Sequence, residues 1–430
     1  MSNKQQISED IIVLAYYFTR IGDTMTYDNF ILDTIKKSSR KVGNILEKEM
    51  QRQEDTIELI ASENFPSDAA KAACGSLFMC KYTEGYAENK ELGNKGRYYG
   101  GCQYYDELEN YGVKVFQKLF HTNYYFNLQP HSGSSANMIA YSAVLNPGDT
   151  ILSMDMNSGA HLTHSSPVSF VSKTYDVKTY GTDENGLLDY SDILRIAKEV
   201  KPKAIVCGAS AYPRIIDFKK FRKIADEVNA YLIADIAHIS GLVISEDHPT
   251  PFGYADIITF TTHKTFRSVR GGVVACKPEL AKNIDSSCFP RHQGGSLQNV
   301  IAGKIITAEE NCKRSYRKYI HNVVKNCRAM ANEFIKMGYD VTTNGTDNHL
   351  FVVDLSKTHP NITGLQVQQA CDNNNITLNK NCVPNEKRSP KQTSGFRIGT
   401  AAMTTKGFTT KDFIRTAHKI DKIISSLENS

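Results

Sequence analysis

Apolar and polar positions fall into blocks along this chain. Between Ser132 and Lys277, short apolar runs are separated by amphipathic stretches, the pattern of successive βα units around a parallel sheet. The clearest unit opens with the run Ala204 to Cys207. It continues through Phe218, Phe221, Ile224, Ala225 and Val228 at helical spacing, and returns in Tyr231 to Ala234, which predicts one βαβ crossover. The runs Ile257 to Phe260 and Val273 to Ala275 lie close enough to predict a hairpin or tight turn between them. Residues 26–61 carry a mixed-charge helical pattern ending in IELIASENF, Ile57 to Phe65, which predicts an arm leading into the main body. After residue 310 the texture changes. A Lys- and Arg-rich amphipathic helix from Asn311 to Met337, the string HLFVVDL, the run Ile376 to Leu378 and a closing helix from Thr410 to Leu427 predict a smaller α+β domain, with Lys380 to Ser394 as a loop. The expected division is therefore an extension and arm (1–65), a large domain (66–310) and a small C-terminal domain (311–430).

Composition narrows the classes. At 430 residues, 40% hydrophobic and 23% charged, the chain is long enough for two or three domains and is neither collagen-like, disordered nor coiled-coil. Lys plus Arg is 51 against 46 for Asp plus Glu, and a balance of +5 spread over this length does not indicate a nucleic-acid surface. Ten scattered cysteines, Cys74 to Cys382, form no CxxC pair, so a zinc ribbon and a disulfide scaffold are not suggested, and reduced thiols in the cytoplasm are expected, with an organelle as the other compartment. The longest apolar run, Ile11 to Phe18, is far short of the roughly 20 residues that span a bilayer, so no membrane partner is expected. Glu9, Asp10 and Asp23 weigh against a transit peptide, and Met25 is an alternative start.

Candidate chemistry begins with Asp235, which follows the apolar run YLIA and so belongs at the carboxyl end of a buried strand, where open α/β sheets bind ligands. Alone, such an aspartate reads equally as a helix cap or the partner of an arginine. THK, Thr262 to Lys264, also follows an apolar strand, and a lone lysine there is usually a solvated loop residue. Together the two match one need: an aldehyde cofactor with a pyridine ring requires an amine to tether it and an acid to keep the ring nitrogen protonated. HSGSSAN, His131 to Asn137, offers Gly133 and hydroxyls at a possible helix start suited to a phosphate, although an ordinary N-cap has the same appearance. His161 and His164 of GAHLTH have no acidic or cysteine neighbour in sequence, so no metal is expected there, and stacking on a cofactor ring is a competing role.

The strings IELIASEN, KYTEGY, RYYGG, QPHSGSSAN, HLTH, TTHK, QGG, GTDNHL, NKNCVPN and TSGFRIGT, in this order, resemble serine hydroxymethyltransferase. The resemblance runs from residue 26 to the last helix. It implies an α/β, aspartate aminotransferase-like fold type I, with a mostly parallel sheet in the large domain and a smaller α+β domain, assembled as a homodimer or dimer-based tetramer. It also implies pyridoxal 5'-phosphate as cofactor, and interconversion of serine plus tetrahydrofolate with glycine plus 5,10-methylenetetrahydrofolate. By the same resemblance Lys264 is the tethering lysine, Asp235 the partner of the ring nitrogen and His161 the stacking residue. Gly133, Ser134 and His263 form the phosphate set, joined by Gly294 and Gly295 from the other subunit. Ser210 and His238 lie at the cofactor's 3-hydroxyl, and Thr261 assists exchange at the lysine. Arg397 takes the amino-acid carboxylate, and Ser62 and Tyr82 are further substrate contacts, Tyr82 across the dimer. Glu84 shuttles a proton at the serine hydroxyl, with Tyr98, Tyr99 and Asn381 near substrate and pterin.

The chain departs from the resembled pattern at Ala160, Phe260, Ser268, Val269, Arg291 and Ser296, and in the longer segment AENKELGNKG. Two other functions share the fold-level features: a threonine-aldolase-like lyase, which does not need Glu84 and Asn381, and a regulatory or RNA-binding scaffold without catalysis. The presence of those two residues disfavours the first, and the intact Lys264 with dispersed basic residues disfavours the second.

Overall fold

A computed structural model describes residues 26–428, so the Ile11–Phe18 run and Met25 lie outside the described residues. The chain divides into two compact units after Thr56. In the first, the helices Tyr27–Ser38 and Arg40–Asp55 are capped by the hydroxyls of Thr26 and Ser39. A Cβ on Gly43 would stand 2.3 Å from Lys36 Cγ, so glycine is what lets these helices approach, and Lys36 pairs with Glu47 at 2.7 Å.

Among the described residues the second unit has thirteen strands: β1 (Ile57–Glu58), β2 (Tyr125–Asn127), β3 (Thr150–Met154), β4 (Asp176–Tyr180), β5 (Ala204–Cys207), β6 (Tyr231–Asp235), β7 (Ile257–Thr261), β8 (Gly272–Cys276), β9 (Asp340–Val341), β10 (Leu350–Asp354), β11 (Ile376–Thr377), β12 (Asn379–Asn381) and β13 (Gly395–Gly399). The large sheet has the order β2-β8-β7-β6-β5-β3-β4, with β4, β3, β5, β6 and β7 parallel and β8 antiparallel to its neighbours. Its inner strands β3, β5, β6, β7 and β8 are buried on both sides, which is why they read as nearly continuous apolar runs, whereas the edge strand β4 is largely exposed. Leu152, Ile205, Leu232, Ile258 and Phe260 face one core, while Ile151, Val206, Ile233 and Ile257 face the other, beneath the Gly133–Val144 helix. The period of two carries forward: Thr259, Thr261 and Asp235 point to the same side as Ile233 and Ile257. Phe260 turns the opposite way, into a cluster with Phe116, Phe120 and Phe266.

The βαβ unit lies where its pattern predicts, as β5, the Phe218–Glu227 helix and β6. β7 and β8 do pair antiparallel, but residues 262–271 intervene, so the link is an extended loop that carries THK and not a tight turn. In the C-terminal region the sheet order is β12-β13-β10-β9, and β1 pairs with β11 in parallel, drawing Leu59 into a core with Phe334, Phe351, Phe396 and Ile420. The helix expected from Asn311 begins at Arg314, because Asn311 closes the preceding Gln298–Asn311 helix. Lys380 and Asn381, expected in a loop, belong to β12, whose ladder to Phe396 and Gly395 holds a polar edge strand that apolar counting does not reveal. Among the described residues no helix is long and apolar enough to cross a membrane.

Candidate active site

The carboxyl ends of the parallel strands gather the first group of residues. Asp235 ends β6, Thr261 ends β7 just before His263 and Lys264, Ser210 follows β5, and His161 follows β3. Asp235 is buried, and its Oδ2 accepts from Asn137 Nδ2 at 2.8 Å and His164 Nε2 at 2.9 Å, while Oδ1 accepts from the Ala237 N–H at 2.9 Å. His164 Nδ1 accepts the backbone N–H of His161 at 3.3 Å, which leaves its proton on Nε2, facing the carboxylate. Burial works against the charge of Asp235, but the hydrogen bond and field of His164, with His161 and Asn137, outweigh it and hold the carboxyl well below its usual range.

His161 Nδ1 accepts from the Thr163 N–H at 3.2 Å and lies 2.7 Å from the Thr163 hydroxyl, so the ring is oriented from one edge. Burial, with the field of His164, takes its pKa down to about 4, leaving a neutral ring. The two histidines whose spacing raised the question of a metal point instead at Thr163 and Asp235, and form the capping box of the short Leu162–Ser165 helix.

Lys264 is buried, and among the described residues its Nζ has no hydrogen-bond partner. Burial pulls the amine down to about 8, Asp235 opposing this and Arg397 and Arg270 adding to it. Its backbone carbonyl accepts from Asn64 Nδ2 at 2.9 Å, and Ser62, two positions before Asn64 in the chain, is half-buried. Thr261 Oγ1 lies 3.4 Å from the Ala237 carbonyl. Its methyl is so close to the Gly133–Val144 helix that a Cβ on Gly133 would stand 2.6 Å from it. Ser132 caps that helix by accepting the Ser135 N–H, and the N–H groups of Gly133 and Ser134 donate to nothing among the described residues. His263 Nδ1 is buried without a partner, and burial brings this imidazole to about 3.

Arg397, on β13, donates from Nη1 to the Ser210 carbonyl at 2.6 Å and from Nη2 to Asn379 Oδ1 at 3.2 Å, while Nε has no partner. No carboxylate pairs with it among the described residues, and burial alone lowers it to about 10. His238 Nδ1 lies 3.2 Å from His349 Nε2, in a stacked pair of buried rings. Asn381 stands half-buried on β12, donating to the Cys382 carbonyl at 2.6 Å.

A second group collects elsewhere in the chain. Tyr82 and Tyr99 rings lie 5.0 Å apart, and Tyr98 meets Phe289 edge-on at 5.3 Å. A Cβ on Gly294 would lie 3.2 Å from Glu84 Oε1, and one on Gly295 would lie 3.4 Å from the Tyr82 ring. The Thr83 and Ser296 hydroxyls, 2.7 Å apart, join the two stretches, so Ser296 has its own task here. The long AENKELGNKG segment bridges on itself at Asn89 and Asn94, and Asn94 donates to buried Asp285 at 3.2 Å. No hydrogen bond, ion pair or ring contact among the described residues joins this group to Lys264 or Asp235. Tyr82 and Tyr98 are 57% and 73% exposed, which is high for aromatic rings at a reaction centre.

Asn137, Thr163, His164 and His349 carry no function in the sequence reading. Only the i, i+3 histidine pair gave a signal, and reading it as a capping box would have placed His164 at a helix start. The model of the serine hydroxymethyltransferase family matches residues 35–420.

Proposed function

The chain belongs to the serine hydroxymethyltransferase family, and on that premise we propose how its residues divide the work. It is a fold type I transferase that interconverts serine plus tetrahydrofolate with glycine plus 5,10-methylenetetrahydrofolate, and it depends on pyridoxal phosphate. The donor set suits that cofactor on four counts. These are, among the described residues, a buried lysine whose amine has no protein partner, a carboxylate held ionised, two unpartnered N–H groups opening a twelve-residue helix, and an orphaned buried nitrogen on His263.

When bound, pyridoxal phosphate supplies an aldehyde for a covalent tether and a pyridinium ring that accepts electrons from the bond being broken. Lys264 is the tether, its amine partly neutral near pH 8, and Thr261 assists exchange there. Asp235 holds a proton on the ring nitrogen, its plane fixed by Asn137, His164 and Ala237. His161 presents a neutral flat ring, Ser210 and His238 serve the 3-hydroxyl, and Gly133, Ser134 and His263 hold the phosphate. Arg397 binds the amino-acid carboxylate through Nε and its remaining Nη protons, which orients the substrate's scissile bond. Ser62 and Asn381 contact substrate and pterin.

The exposed group of Tyr82, Glu84, Tyr98, Tyr99, Gly294 and Gly295 completes the site of a second copy, with Glu84 moving a proton at the serine hydroxyl and the two glycines reaching the phosphate. The functional unit is therefore a homodimer, on its own or paired into a tetramer, and its exposed tyrosines support that reading. The ten unpaired cysteines support a cytoplasmic location. The observation that carries the role assignments is the pairing of a buried lysine, whose amine has no protein hydrogen-bond partner among the described residues, with an aspartate held ionised. Formaldehyde transfer from serine, assayed with and without tetrahydrofolate and alongside threonine cleavage, is expected to require both serine and folate. Threonine cleavage without serine transfer would replace this reading with a lyase.

A further inference from the structure

Lys304 has no place in the roles above, yet it is fully buried in the Gln298–Asn311 helix. Its Nζ donates all three protons to main-chain carbonyls, of Leu128 at 2.8 Å, Gly272 at 2.9 Å and Pro130 at 3.1 Å. No carboxylate pairs with it among the described residues. Glu109, whose charge reaches it, is already engaged by Arg97 at 2.9 Å and by Gln298. A buried cation without a counterion is costly, and burial accordingly drags this amine down to about 7.

The three carbonyls belong to the two backbones that frame the start of the Gly133–Val144 helix. Leu128 and Pro130 lead directly into His131 and Ser132, and the Gly272 N–H donates to the Pro130 carbonyl at 3.0 Å. Gly272 packs so tightly on the Ser132–Gly133 peptide that a Cβ there would stand 2.2 Å from Ser132 O and 3.2 Å from Gly133 N. The neighbouring Gly271 leaves room for the lysine itself, since its Cβ would lie 2.3 Å from Lys304 Cε. The ammonium thus binds the two backbones that meet at the start of the helix carrying the free N–H groups of Gly133 and Ser134.

We propose that Lys304 is a positioning residue of the phosphate cradle, pinning its two backbones together and supplying from behind a positive charge that the cofactor's phosphate compensates. This rests on the reading that Gly133 and Ser134 receive the phosphate. The test titrates full-length protein, stripped of cofactor, with pyridoxal phosphate and separately with pyridoxal, which lacks the phosphate. Lys304→Met removes charge and donors, while Lys304→Gln keeps amide protons for the carbonyls and lends itself to folding if the first variant does not fold. Both are expected to weaken pyridoxal phosphate by about tenfold or more while sparing pyridoxal. Equal weakening of the two ligands, or none, overturns the proposal, because a purely structural lysine has no means to distinguish them. Ser134→Ala reads the cradle separately. A phosphate-selective loss there with none at residue 304 overturns the lysine's role and keeps the cradle. A selective loss at residue 304 with none in Ser134→Ala supports the lysine and leaves the cradle to the Gly133 and Ser134 N–H groups, which that substitution keeps.

Discussion

Lys264 and Lys304 are both buried, both pulled below the usual range of an amine, and both close to the mouth of the same sheet. They differ in what their protons meet. Lys304 spends all three on carbonyls within 3.1 Å, whereas none of the described residues accepts a proton from the Lys264 amine. A saturated ammonium is a fastener, since using it as a nucleophile would break three hydrogen bonds to main-chain carbonyls. An unsaturated amine with an ionised aspartate in its field is available for chemistry. Burial and depressed basicity alone therefore do not mark the reactive lysine; the hydrogen-bond inventory does. Arg397 falls between the two, with both Nη groups engaged and Nε unpartnered, a site half-built to receive a carboxylate.

The largest expected effect breaks the comparison if it fails. Lys264→Ala is expected to lower serine–glycine interconversion by ~10³-fold or more and to abolish borohydride-trapped cofactor in the intact-protein mass. Lys304→Met should still trap cofactor when the cofactor is in excess. Trapping that persists in Lys264→Ala would mean another amine is the tether.

Arg397→Ala comes next. It removes charge-assisted hydrogen bonds to a carboxylate, worth about 1.5–3 kcal/mol, or roughly ten- to a hundredfold. The loss should appear in the KM for serine and the Kd for glycine, with affinity for pyridoxal phosphate little changed. Unaltered amino-acid affinities would remove Arg397 from the carboxylate site and leave its empty Nε unexplained.

How far the sequence reveals these distinctions depends on physical contrast. The β5–helix–β6 unit is legible because strands buried on both faces read as solid apolar runs and the intervening helix shows one stripe. Asp235 and Lys264 are legible only as a pair, because each alone has an ordinary structural use and together they match an amine and an acid serving one pyridine ring. β12 is not, since Asn379, Lys380 and Asn381 are held by ladder hydrogen bonds and not by apolar burial. Lys304 is hidden for a related reason. It lies in a helix whose buried residues include Gln298, Thr307 and Asn311 as well as Ile301 and Ile305, so no polar face stands out and a lysine reads as solvated. The group around Tyr82 and Glu84 follows only from the family resemblance, because its grouping depends on contacts far apart in sequence, such as Thr83 with Ser296.

The smallest effect sharpens the comparison most, because basicity and hydrogen bonding make opposite forecasts. An acylating reagent attacks only neutral amines. By basicity alone Lys304, at about 7, would be neutral over a wider pH range than Lys264, at about 8, and would react first. By hydrogen bonding Lys264 reacts and Lys304 does not while the chain stays folded. With cofactor-free protein treated with acetic anhydride and mapped by mass, labelling of Lys264 is expected to rise about tenfold per pH unit up to about 8 and then level off, because the neutral fraction grows only until the pKa is passed. An amine at its ordinary 10.5 would keep climbing well beyond that point. Modification at Lys304 keeping pace with Lys264 would show that its three carbonyls do not restrain it, and the distinction between fastener and nucleophile would fail.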